Sequence, residues 1–171
     1  MFRKIEDFIT AWPVEAGFTS KVFEAIPDKY ADQAIADGHR TLKRLAWHLV
    51  ETVIGMPKHF GILVDGHEMV TNDAICAPPA TMAEVKIAYE KASKSFTEGL
   101  KSWTDDTLLQ EDEMYGEKYT RSHSLTIIMC HQIHHRGEMF VLMRQAGLIP
   151  PDIYGPTKEG WATYGMEPPK V

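Results

Sequence analysis

Apolar residues recur three and four apart along most of this chain, the period of helices with one buried face. Phe18, Val22, Phe23 and Ile26 share such a face and Pro27 follows, which predicts a first helix from about Glu15 to Ile26. Thr41 is a good N-cap, and Leu42, Leu45, Leu49, Thr52, Val53, Met56, Phe60 and Leu63 keep helical spacing after it. Pro57 stands inside this second helix and should kink or break it while leaving the earlier turns intact. Gly66 to Ala80, with Asn72, Pro78 and Pro79, reads as a loop. Thr81-Met82-Ala83-Glu84 is a capping box that starts a third helix running from Met82 to about Trp103. Thr104 to Glu113 carries five acidic residues and no basic one, and reads as a solvated loop. A last long helix begins at Ser122 or Ser124 and runs to Gln145, stopped by Gly147 with Pro150 and Pro151 beyond. The tail is rich in Pro, Gly and aromatics, with a short helix expected near Lys158 to Tyr164. Four long amphipathic helices without strand alternation predict an all-α bundle, a single domain over 1–171.

Composition narrows the function classes. Hydrophobic residues make up 44% and charged residues 25%, the balance of an ordinary soluble domain and not of a disordered or disulfide-stapled one. Eighteen Lys and Arg stand against 24 Asp and Glu, a net charge of −6 with no basic stripe, so no nucleic-acid partner is expected. The longest nearly apolar run, Leu125 to Cys130, is far short of a membrane span, and the first residues lack the apolar stretch of a signal peptide. Cys76 and Cys130 have no Cys-x-x-Cys spacing and read as two reduced thiols of a cytoplasmic protein.

The chemistry concentrates in the histidines. His131 and His135 are four apart on the last helix, a spacing that lets two imidazoles reach one metal ion. His134 is turned about 60° from His131 and is the weaker candidate. The stripe of His131 and His135 also carries Ser124, Ile127, Ile128, Met139 and Leu142, so it faces a core in which imidazoles need partners. Hydrogen bonds to a neighbouring helix would satisfy one buried His; two in register favour a shared ligand. A third ligand should come from the second helix. His48 and His59 would lie about 16 Å apart on a continuous helix and cannot share an ion. His48 sits in the apolar run Leu45 to Val50 and is chosen, whereas His59, beyond Pro57, is expected to face solvent. Glu138, seven residues after His131, could be a fourth ligand, an acceptor for an imidazole N–H, or the partner of a cation from another helix. Arg136 and Gly137 are read as pointing away from the stripe, with close approach of another helix as the reason a Gly is tolerated there.

The run His131-Gln132-Ile133-His134-His135-Arg136-Gly137-Glu138 resembles the signature of the DinB/YfiT-like metalloenzyme family. Leu42 to Val50 resembles that family's second-helix segment with its single His, and Arg144 to Pro151 its C-terminal exit. The resemblance spans most of the chain. It implies a four-helix up-down-down-up bundle, a homodimer, and one divalent metal ion held by His48, His131 and His135. Glu138 stands where the family usually has Gln, which bears on the charge of the site.

Three imidazoles on a divalent ion leave open positions, the arrangement of catalytic rather than structural sites. Zn, Ni and Fe all suit imidazole, and sequence does not choose among them. The resemblance implies relatives that transfer or isomerise using low-molecular-weight thiols and others with no assigned reaction. With the open positions, this points to a metal-dependent transferase or hydrolase acting on a small-molecule substrate, with a low-molecular-weight thiol as a candidate cofactor. Glu138 is its candidate catalytic residue, orienting a ligand or handling a proton. The competing expectation is a non-catalytic metal- or small-molecule-binding dimeric bundle, a sensor or interaction module. Trp12, Trp47, Trp103 and Trp161 are assigned to packing, Cys130 to a packed thiol, and His39, His67 and His123 to solvated connections. Tyr115 and Tyr119 could line a pocket mouth.

Overall fold

The computed structural model describes residues 1–70 and 76–170. Four α-helices dominate: α1 (Ile5–Glu24), α2 (Leu42–Gly55), α3 (Met82–Leu100) and α4 (Arg121–Gln145). Between α3 and α4 lies a two-stranded antiparallel hairpin, β1 (Glu111–Met114) and β2 (Glu117–Thr120). Three-residue to five-residue 3-10 turns punctuate the connections, one of them Gly160–Tyr164 in the tail.

Side-chain pairs along the helices fix their directions. Phe8 and Trp12 meet Phe96, whereas Phe23 meets Tyr89, so α1 and α3 are antiparallel. The Ser122 hydroxyl bonds the Phe2 carbonyl and Arg136 bonds Glu15 and Thr19, so α1 and α4 run parallel. Lys43 at the head of α2 approaches Ala80 just before α3, while Ile62 beyond the end of α2 abuts Gly99 near the end of α3; these two are parallel. The order is therefore up-down-down-up, with α1 and α2 each packed on α3 and α4. The core between them holds Phe8, Trp12, Leu49, Val50, Tyr89, Phe96, Ile128 and Met139. Trp12 brings its indole N–H to the Ser93 hydroxyl at 2.9 Å, whereas the indole N–H of Trp47 has no partner among the described residues.

Local signals account for most boundaries. Thr41 and Thr81 accept from the backbone N–H of Arg44 and Glu84, and Glu84 returns the bond to Thr81, completing the capping box. At the end of α4, Leu148 N–H reaches the Met143 carbonyl and Gly147 N–H the Arg144 carbonyl. This is a Schellman closure, with Gly147 at φ +75° where a Cβ would be strained.

Several expectations need correction. The first helix begins at Ile5, not near Glu15, because Ile5, Phe8 and Trp12 extend the buried stripe and Pro13 sits exposed on the opposite side. It ends at Glu24, with Ile26 in the turn beyond. The second helix ends at Gly55, and Met56–Phe60 continues as a 3-10 turn around Pro57. The third ends at Leu100, short of Trp103. The last starts at Arg121, capped by the Thr120 hydroxyl. The acidic stretch is not all loop: Asp105–Leu109 is a 3-10 turn and Glu111–Met114 a strand that buries Met114. Tyr115 and Gly116 close the hairpin at φ +57° and +82°, the positive pair of a type I′ turn. Asn72 lies outside the described residues.

Candidate metal centre

His48 on α2 and His131 and His135 on α4 converge where the two antiparallel helices pass each other. The Nε2 atoms of His48 and His131 are 3.1 Å apart, and one ligand nitrogen from each of the three rings falls within 4.8 Å of the others. The rings meet edge to face, with centroids 4.9 Å apart for His48 and His135 and 4.4 Å for His131 and His135. Nitrogens sharing a tetrahedral ion at a bond length of about 2.0–2.1 Å would stand about 3.3 Å apart, close to the separation of His48 and His131 and within reach of His135. The donor chemistry fits as well, since all three are imidazoles and metal binding requires them neutral.

The surroundings keep two of them neutral. Burial pushes His48 down to about 3, helped by the charges of Arg40, His135, His131 and Arg44. Burial likewise pushes His131 down to about 4, with His135, His134 and Arg40 adding to the effect and Glu138 opposing it.

A carboxylate holds the orientation of His135. Glu138 Oε2 lies 2.6 Å from His135 Nδ1, and its other oxygen is 3.2 Å from His134 Nε2. When Nδ1 of His135 donates to Glu138, the lone pair of that ring is on Nε2. On the other helix, Glu51 Oε2 is 3.9 Å from His48 Nδ1 and pairs with Arg44. Burial raises Glu51, while Arg44 and the Cys76 N–H, which bonds the carboxylate, pull it down. Arg44 in turn donates to the Cys76 carbonyl at 2.6 Å, so the chain returning from the α2–α3 connection braces the His48 side.

A cleft of about 520 Å3 opens beside the centre, walled by Glu138, Val141 and Leu142 of α4, Leu45 of α2, and the segment from Ile35 to Arg40. Its volume suits a small organic molecule. A second grouping, His134, His135 and Glu138, shares two of its residues with this arrangement and lies mostly at the surface.

The structure thus brings together the three imidazoles singled out from the sequence and sets Glu138 on one of them. His59 is exposed, as are His39, His67 and His123. Cys130 is exposed rather than packed. Arg136 points away from the histidine stripe as expected, and that side is buried too: it is 1% exposed, donating to the Glu15 carbonyl and carboxylate, the Thr19 hydroxyl and the Tyr154 hydroxyl. No helix approaches Gly137, where an added Cβ would meet nothing within 4 Å. Glu51, Arg44 and Arg40 were not singled out for the site. Glu51 three residues after His48 is the one signal that could have found any of them. Tyr115 is exposed at the hairpin turn and away from the cleft walls.

Among the described residues no helix is long and apolar enough to cross a membrane. An uncharacterised Bacillus subtilis (strain 168) protein, YrdA, is 37% identical over the full length of both chains. A DinB-like protein of Bacillus cereus ATCC 10987 superposes with a TM-score of 0.82 at 34% identity, over 90% of this chain and 100% of that one. A second DinB-like structure, YjoA of Bacillus subtilis, superposes at 0.67 over 87% of this chain and 98% of its own; at 16% identity it speaks for the fold alone. Residues 1–170 match the DinB family, and with the full-length relative this places the chain in it: the protein belongs to the DinB family.

Proposed function

We propose that the protein is a metal-dependent enzyme, a thiol S-transferase or hydrolase, whose divalent ion (Zn, Ni or Fe) is held by His48, His131 and His135. The observation that carries this reading is the convergence of three imidazoles beside an open cleft. A divalent ion there supplies Lewis acidity at a position left free for a small ligand. The chain's own residues do the rest. The buried walls keep the His48 and His131 rings unprotonated at neutral pH. Glu138 fixes the tautomer of His135 and, at 44% side-chain exposure, reaches the cleft, where it can accept a proton from a thiol or water and return it to a leaving group. Leu45 and Leu142 form an apolar floor that excludes water from the reacting end of a substrate.

The test is a paired assay on tag-free protein, loaded with Zn, Ni or Fe(II) or stripped by chelation. Thiol transfer from cysteine to a chloronitrobenzene electrophile and hydrolysis of nitrophenyl esters are both followed. Turnover that needs metal and falls by 100-fold or more, roughly, in Glu138→Ala supports the assignment. Tight metal binding with no turnover in either assay, and none gained on a wider panel of electrophiles and esters, would leave a binding bundle in its place.

A further inference from the structure

The cleft beside the imidazoles carries a cation that forms no ion pair. Three basic residues stand together before and at the start of α2: Arg40, Lys43 and Arg44. Lys43 has Asp32 at 3.9 Å and Arg44 has Glu51. Arg40 alone makes no ion pair or hydrogen bond among the described residues; it is exposed, forms part of the cleft wall, and its charge is felt at His48, at His131 and, more weakly than that of Arg44, at Glu51. The nearest cleft carboxylate, Glu138, is already engaged by His135 and His134. Besides Arg40, His39 and Glu138 the side chains lining the cleft are aliphatic: Leu45 and Leu142 are buried, whereas Ile35 and Val141 lie open at 56% and 52% exposure. An unpaired guanidinium at one end and aliphatic walls toward the other are complementary to a particular kind of ligand.

We infer that this cleft binds a small organic anion, a carboxylate on a short aliphatic stem, with Arg40 as the residue that selects for the negative charge. The inference rests on the proposed function in one respect: the same site would take such a molecule as substrate, its carboxylate on Arg40 and its reacting end toward the three imidazoles. A planar guanidinium matches a carboxylate through two parallel N–H donors, which a lysine cannot reproduce but can partly replace by charge. Ile35 and Val141 then gain burial against the stem that they lack in the free protein.

Calorimetric titration of hexanoate and of 1-hexanol into the full-length protein tests this, in the metal-loaded form and after chelation. In the chelated form a carboxylate cannot be held by metal, so any preference belongs to the chain. Hexanoate is expected to bind about ten-fold more tightly than the alcohol or better. Arg40→Gln should erase that preference and leave weak alcohol binding unchanged, and Arg40→Lys should restore part of it. Equal affinity for hexanoate and hexanol in the chelated wild type, or a preference that survives Arg40→Gln, overturns the inference. Metal content measured on the same samples separates the two claims. Arg40-dependent selection in a protein that takes up no metal leaves the anion site standing and removes the metal-dependent enzyme.

Discussion

His48, His131 and His135 each reach the centre for a reason visible in their own helix. His131 and His135 share a face because they are one turn apart, and His48 is the member of its turn that points across the α2–α4 contact. Depressed imidazole basicity has a consequence for stability that can be worked out in sign. In the unfolded chain these rings take up protons near 6.5, whereas in the fold His131 resists until about 4 and His48 until about 3. Between those values the unfolded state binds more protons. The metal-free protein therefore has their full contribution above pH 6.5 and loses it as the pH falls toward 4 and then 3. Denaturant midpoints measured from pH 7.5 to 4.5 should drop more steeply for wild type than for a His48→Gln, His131→Gln double variant; parallel slopes would contradict the assignment of these rings as buried and neutral. Glu138 acts one bond further out. Glu138→Gln keeps an acceptor for His135 and should cost little zinc affinity. Glu138→Ala removes it and should cost about 10–100-fold. Competition with a chromophoric chelator reads both.

At the scale of elements, the helices were legible wherever the apolar period was followed along its whole length, and cut short where it was not. The first helix was read only from the stripe that starts at Phe18, yet Ile5, Phe8 and Trp12 carry that stripe back toward the N-terminus and the exposed Pro13 lets the backbone pass. The hairpin was hidden because its first strand is acidic: only Met114 is buried, and pairing with Glu117–Thr120, not hydrophobic alternation, makes Glu111–Met114 extended. The Tyr115-Gly116 turn was its readable trace. Two glycines in helices separate packing from propensity. Gly99 is required, because a Cβ there would lie 2.6 Å from Cγ2 of Ile62; Gly99→Ala should destabilise by about 1–3 kcal/mol. Gly137 has no such neighbour, so Gly137→Ala should stabilise the protein by about 0.5–1 kcal/mol in thermal or chemical unfolding. Loss of stability at Gly137 would mean that something covers that face.

Across the whole molecule, the bundle is closed by a polar clasp that helical periodicity could not reveal. Arg136 ties α4 to Glu15 and Thr19 of α1 and to Tyr154 of the tail, and the Tyr154 hydroxyl also donates to Glu15 at 2.5 Å. A wheel drawn on α4 alone puts Arg136 outside the histidine stripe, which is correct. It cannot show that α1 and the tail cover that side as well. Arg136→Met would leave the Glu15 carboxylate, 12% exposed, without its cation and should cost about 3–5 kcal/mol, with faster amide exchange around Tyr154. The same long-range folding explains why the centre was only half legible. Spacing on one helix identified two imidazoles and burial a third, but the brace of Glu51 and Arg44 depends on where Cys76 returns. Arg40 depends on how the segment before α2 wraps the cleft.

The measurement closest to the central claim is metal content per chain in tag-free protein, by elemental analysis, beside folded His48→Ala and His135→Ala variants. One divalent ion per chain in the wild type, lost in both variants with the helical signal intact, is the predicted result. Wild-type protein that stays metal-free after reconstitution with Zn, Ni and Fe(II), or variants that keep a full complement, would mean that these imidazoles are packed core groups and that the proposed chemistry has no centre.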